Sequence, residues 1–144
     1  MTGSGFANPS DEEIAALLRS TRTIAVVGAS SKTHRPSYRI FAYLQDAGYR
    51  VLPVNPNETE VQGVAAYASL DEIEEPVDLV DVFRRAEETA DVAKSAVGAG
   101  SKALWLQLGI ANGEAARIAG DAGLQVVMDR CIAVEHSRLG VGKR

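Results

Sequence analysis

Short apolar runs, each ending at a turn residue, alternate along this chain with segments of helical period, and no other feature narrows the possible folds as far. Thr23-Ile24-Ala25-Val26-Val27 stops at Gly28. The runs Tyr49 to Val54, Asp78 to Phe83, Ala103 to Leu108 and Gln125 to Met128 follow the same plan. Continuous rather than alternating hydrophobicity suits strands buried on both faces of a parallel sheet. Between the runs lie helices. Ser10 and Glu13 have capping-box spacing, and Ile14, Leu17 and Leu18 follow at helical intervals. A second helix starts at Pro36 or Ser37, buries Ile40, Phe41, Leu44 and Ala47, and stops at Gly48. Glu87 to Val97 and Asn112 to Ala122 are two more, with Gly98 or Gly100 and Gly123 as stops, and a short element falls near Val64 to Tyr67. Strands that alternate with helices join by right-handed crossovers into a parallel sheet covered on both faces. The expected fold is α/β: a three-layer, doubly wound, Rossmann-like domain with a mostly parallel sheet of about five or six strands.

The totals bound what such a domain can do. At 144 residues the chain is one domain, read as a flexible tail over 1–9, the folded unit over 10–139 and a flexible tail over 140–144. Aromatic residues are only 6% of the chain, so Ala, Val, Leu and Ile must fill the core. A net charge of −4 argues against wholesale nucleic-acid binding, which shows as a basic face. No apolar run reaches the roughly 20 residues of a membrane-spanning helix. Met1 to Pro9 lacks the layout of a signal peptide, and the single cysteine, Cys131, excludes an internal disulfide; both fit a cytoplasmic protein. With two histidines and one cysteine, no metal centre is expected.

In open α/β sheets ligands bind beyond the carboxyl ends of the strands, where the strand order reverses. That points to Gly28-Ala29-Ser30-Ser31-Lys32-Thr33-His34-Arg35-Pro36-Ser37. Gly28 permits a tight turn, four hydroxyls follow, and the helix start presents N–H groups to an anion. Lys32, Arg35 and Arg39 concentrate positive charge in an acidic chain. The composition suits phosphate. A dinucleotide fingerprint needs Gly-x-Gly-x-x-Gly and an acid about 20 residues on, for the ribose hydroxyls. Here Gly28 stands alone, and the second strand ends Pro53-Val54-Asn55-Pro56, with Glu58 beyond the two prolines. NAD is disfavoured, NADP less so, and a Walker A motif is absent.

Gly28-Ala29-Ser30, Arg35-Pro36-Ser37, Gly48-Tyr49-x-Val51, Pro53-Val54-Asn55-Pro56 and Val82-Phe83-Arg84 together resemble the small bacterial and archaeal CoA-binding proteins. Trp105-x-Gln107-x-Gly109 and Val127-Met128-Asp129-Arg130-Cys131 continue the match in order, from about Ile14 to Leu139. That family is similar to the CoA-binding domain of the succinyl-CoA synthetase α-subunit. The resemblance implies coenzyme A or an acyl-CoA as ligand. Gly28, Ala29, Ser30, Ser31, Arg35, Pro36 and Ser37 would hold its phosphates, with Lys32 in the same loop. Pro53, Asn55 and Pro56 would pass along the ADP or pantetheine part, and Phe83, Arg84, Gln107 and Gly109 would border the cofactor. It also implies a binding domain without the catalytic domains of the ligases, serving CoA sensing, carrying or regulation, alone or with a partner chain. The alternatives are a small NADP-dependent reductase and a redox-responsive protein whose Cys131 forms a mixed disulfide with CoA. No nucleic-acid or membrane partner is expected.

The remaining polar residues read as structural. Asp78, Asp81 and Asp129 suit caps or pairing with Arg84, Arg85 or Arg130, and Trp105 suits the core. His34 belongs to the phosphate loop, and His136 to the surface near the C-terminus.

Overall fold

The computed structural model describes residues 6–144. Five parallel strands form one sheet: β1 (Thr23–Val27), β2 (Arg50–Val54), β5 (Leu79–Val82), β6 (Ala103–Leu106) and β7 (Gln125–Val127). Their order is β2-β1-β5-β6-β7. The chain steps outward from β1 to β2 and then returns past β1 to β5, so the reversal lies between β1 and β5. Beyond β2, Tyr67 makes a single parallel bridge to Val54. Its N–H donates to the Pro53 carbonyl at 2.9 Å, and its own carbonyl accepts from Asn55 N at 2.8 Å. Pro53 therefore turns its missing donor to this thin edge rather than to β1, which is why a proline is tolerated there. The expected Rossmann-like architecture is present, with one bridge residue in the place of a sixth strand.

Successive residues of each strand feed opposite faces, and each face has its own core. Helices α1 (Asp11–Ser20), α2 (Pro36–Asp46) and α5 (Ile132–Arg138) cover one, where Ile14, Leu18, Phe41, Leu44, Trp105 and Ile132 are buried. Helices α3 (Thr89–Gly98) and α4 (Gly113–Asp121) cover the other through Ala93, Ala96, Ala115 and Ala119, small side chains that let helices approach Val80, Val82 and Leu104 closely. The capping box at Ser10 and Glu13 is complete, and Gly48 ends α2 with φ +95. Trp105 is fully buried, as expected. Among the described residues no helix is long and apolar enough to cross a membrane.

Helix α5 lies outside the sequence expectation, and the short element expected near Val64 to Tyr67 is one arm of a hairpin. The hairpin β3 (Glu60–Val61) to β4 (Val64–Ala65) turns through Gln62 and Gly63, whose φ values of 47 and 85 match the twist of a two-residue hairpin. Strands of two residues are too short to show any period. In α5 the buried positions are Ile132, Ala133, Glu135 and His136, and two polar residues on the inner face hide the helical pattern. Glu135 earns its burial by accepting from Arg130 at 3.0 Å and Arg138 at 2.7 Å, and Arg138 reaches on to Asp11 at 2.8 Å. His136 is therefore buried rather than on the surface, with Nδ1 2.8 Å from the Tyr43 hydroxyl. Burial keeps its imidazole pKa below the ordinary value.

Of the tail expected over 1–9, residues 1–5 lie outside the described residues. Asn8 pairs its side-chain amide with the backbone of Met128, donating at 3.0 Å and accepting at 2.8 Å, in the manner of a neighbouring strand. At the other end, Arg144 N donates to Ala47 O at 2.8 Å.

Candidate functional site

The site grows from the point where β1 stops. Gly28 has φ +93, and a Cβ there would stand 2.3 Å from the Phe83 carbonyl oxygen of the adjacent strand end. Glycine is thus demanded by β5 as much as by any ligand. Gly28 N donates to Val54 O and Phe83 N to Val27 O, each at 2.8 Å, so the ends of β2, β1 and β5 are stitched together. From there the loop folds on the Ser30 hydroxyl and on the turn that follows β2. Ser30 Oγ accepts from Lys32 N at 3.0 Å. Asn55 Nδ2 donates to Ala29 O at 2.8 Å, while its Oδ1 accepts from Asn57 N at 2.9 Å. That turn carries Glu58 back to the loop, where its carboxylate accepts the Ser31 N–H at 2.9 Å. The Ser31 amide, with Lys32 nearby, holds the Glu58 carboxyl below the ordinary range. Arg35 is extended, φ −77 and ψ 139, as the residue before a proline must be, and Pro36 opens α2.

The far wall comes from β6, β7 and α5. Buried Gln107 accepts the Ile132 N–H at 3.1 Å through Oε1, fixing the start of α5 against the tip of β6. Gly109 N donates to Asp129 Oδ1 at 2.7 Å, and Asp129 itself sits at φ 58. These bonds hold Cys131 at the edge of the sheet.

Two adjoining cavities result, sharing Gly28, Arg35, Phe83 and Arg84. One, of about 630 Å³, is polar, with Ser30, Lys32, Asn55, Glu58, Arg85 and Glu88 in its walls. The other, of about 520 Å³, adds Ile40, Leu108, Ile110, Gln107 and Cys131, together with Arg39. Together they make one groove across the strand reversal, polar at one end and largely apolar at the other, with Arg35 and Arg84 where the two meet and Arg39 in the wall of the apolar end. Arg84 is partly neutralised by Glu88 at 2.6 Å. Among the described residues no cluster of His, Cys, Asp or Glu could hold a metal ion.

Gly28, Ser30, Lys32, Arg35, Pro36, Ser37, Asn55, Phe83, Arg84 and Gln107, the greater part of the sequence-read set, converge on this groove. The others are placed differently. Ala29 is fully buried and contributes its carbonyl, Ser31 offers a backbone N–H already taken by Glu58, and Pro53 is buried in β2. Pro56 faces a smaller cavity of about 260 Å³ with Leu70 and Val92, and Gly109 is exposed beside the groove. Sequence reasoning missed Ile40, Leu108, Ile110, Arg85 and Glu88 as lining residues. Ile40 alone had a signal, lying one helical turn after Pro36. Asp81 needs correction as well: it pairs with no arginine. It is fully buried in β5 between Val26 and Trp105, neither oxygen has a partner, and burial pushes its carboxyl well above the ordinary value.

Comparisons agree with this architecture. An uncharacterized protein of Bacillus subtilis, YneT, is 42% identical over 130 residues, covering 90% of this chain and 96% of that one. A hypothetical protein from Pyrococcus horikoshii superposes with a TM-score of 0.89 at 38% identity, covering 91% of this chain and 92% of the other. The α-subunit of an ADP-forming acetate–CoA ligase from Pyrococcus furiosus is 49% identical over 59 residues, which is 40% of this chain and 13% of the subunit. Residues 22–137 match the model of the family described as the CoA binding domain. The chain therefore belongs to the CoA binding domain family.

Proposed function

We propose that this protein binds coenzyme A or an acyl-CoA along the groove and performs no chemistry of its own, serving CoA sensing, carrying or regulation. The observation that carries this reading is the division of the groove. Coenzyme A combines a pyrophosphate and a 3′-phosphate with a long, mostly uncharged pantetheine arm. The polar end, with Lys32, Arg35, Arg84 and Arg85, suits the phosphates. The end lined by Ile40, Phe83, Leu108 and Ile110 suits the arm, with its thiol close to Cys131. Asn55 stands where a dinucleotide enzyme places its ribose-binding acid, and its side chain is already spent on the loop.

Thermal unfolding with CoA, acetyl-CoA, ADP, NAD and NADP tests the reading. At one hundred times its dissociation constant a native-state ligand stabilises by about 2.7 kcal/mol, a rise of several degrees for a domain of this size. We expect that rise with CoA or acetyl-CoA and not with NAD. A rise with NADP alone would replace this reading by the reductase.

A further inference from the structure

The phosphate turn already holds an anion of its own. Glu58 Oε2 accepts the Ser31 N–H at 2.9 Å, Lys32 flanks it, and the side chain lies in the polar cavity beside Ser30, Asn55 and Arg85. Its position is built by the β2–β3 connection. Glu58 N donates to Asn55 O at 3.2 Å, and Asn55 is tied to Ala29 O at 2.8 Å, so the carboxylate approaches across the gap between two loops. A single N–H donor accepts one strong anion, and two anions side by side repel. We infer that Glu58 is a resident competitor for the phosphate turn, and that a ligand's phosphate group binds there only by displacing its carboxylate. The inference rests on the CoA reading for the natural ligand and deepens it. Glu58 becomes a selectivity residue: a dianionic phosphate or a pyrophosphate outcompetes a carboxylate for an amide and an ammonium, whereas a weakly charged ligand does not. Glu58 is also held only at its tip, with most of the side chain in the groove, so it can rotate out without disturbing β2.

Glu58→Gln keeps the shape and an acceptor for Ser31 while removing the charge. Calorimetric titration of CoA into parent and variant should show the variant binding on the order of tenfold tighter, the weight of one charge-assisted hydrogen bond. Glu58→Ala should move affinity in the same direction, so one poorly folded variant does not decide the matter. Glu60→Gln removes the same charge from the exposed start of β3, outside the groove, and should leave affinity within about twofold if the effect is local rather than one of net charge. Affinity at Glu58→Gln equal to the parent overturns the inference; weaker binding overturns it too, and means that Glu58 contacts the ligand. If neither protein binds CoA, the CoA reading fails on its own. Inorganic pyrophosphate titrated into the same pair then decides Glu58 separately, with tighter binding by the variant supporting displacement and equal or absent binding refuting it.

Discussion

The two halves of the groove are built by different means. The polar half is made of consecutive chain. Gly28 to Arg35 turns on the Ser30 hydroxyl and on a bond from Arg35 N to Lys32 O, and one short loop, Asn55 to Glu58, is clamped to it through side-chain-to-backbone bonds. The apolar half is assembled from four separate places: Ile40 on α2, Phe83 after β5, Leu108 and Ile110 after β6, and Cys131 before α5. It is held by buried contacts such as Gln107 to Ile132 N. A contiguous polar loop can change its hydrogen bonds locally, whereas the wall positions fixed by buried Ile40 and by the Gln107 to Ile132 bond move only if the core moves, Leu108 on its exposed loop excepted. The comparison thus assigns adjustability to the polar half and rigidity to the apolar half.

Gly28 belongs to both halves, and replacing it should erase the difference between them. Gly28→Ala places a methyl group 2.3 Å from the Phe83 carbonyl at a φ of +93, so β1 and β5 must part at the reversal point. The combined overpacking and backbone strain should cost about 3–5 kcal/mol. Denaturant unfolding measures it, and a loss under about 1 kcal/mol would show that the strand ends yield easily and that rigidity is not the rule here.

Asp81 probes the foundation of the apolar half, two residues below Phe83 on the same sheet face. Its folded-state pKa is raised by burial, while the unfolded chain keeps an ordinary value near 3.8. Below that value both states are protonated and pH has no effect through this group. Above it the unfolded state ionises first, so native stability is lost at about 1.4 kcal/mol per pH unit until the folded value is reached. Asp81→Asn cannot ionise and should remove that loss. In urea unfolding at pH 4, 6 and 8, the variant should gain on the parent as pH rises, by up to a few kcal/mol. A gap that is constant with pH would mean that Asp81 titrates normally and that this core admits water.

The same contrast explains how much could be read beforehand. The polar half was legible because glycine, hydroxyls and basic residues fall within one stretch after an apolar run, at the place the fold predicts. The sheet was legible because its strands are buried on both faces and carry mostly apolar runs, Asp81 in β5 being the one buried carboxylate among them. The apolar half was not, because Leu108 and Ile110 lie past a strand whose last residue, Leu106, is set by pairing with β5 rather than by composition. Neither α5 nor the role of Gln107 could be seen, since Glu135 is a polar residue buried between Arg130 and Arg138, and His136 and Gln107 are buried by partners far off in the chain. Pro53 and Gly109 entered as site residues through resemblance, and their placement shows architectural duties at the edge strand and at the Asp129 clasp.

The smallest expected effects separate the halves by what each contributes to binding. Arg35 lies in both cavities, caps no helix through its side chain and is exposed, so its loss should leave the fold intact. Arg35→Ala should weaken CoA about tenfold by removing one guanidinium–phosphate contact, with an unchanged unfolding temperature in the absence of ligand. Cys131→Ser alters one atom of the rigid wall and should leave reversible affinity for CoA within about twofold, because a thiol contributes to packing there rather than to charge recognition. Calorimetry on the two variants under reducing conditions measures both. If Cys131→Ser cost as much as Arg35→Ala, the thiol end would be read as strongly as the phosphates, and the groove would be selecting among acyl-CoA species rather than holding the nucleotide they share.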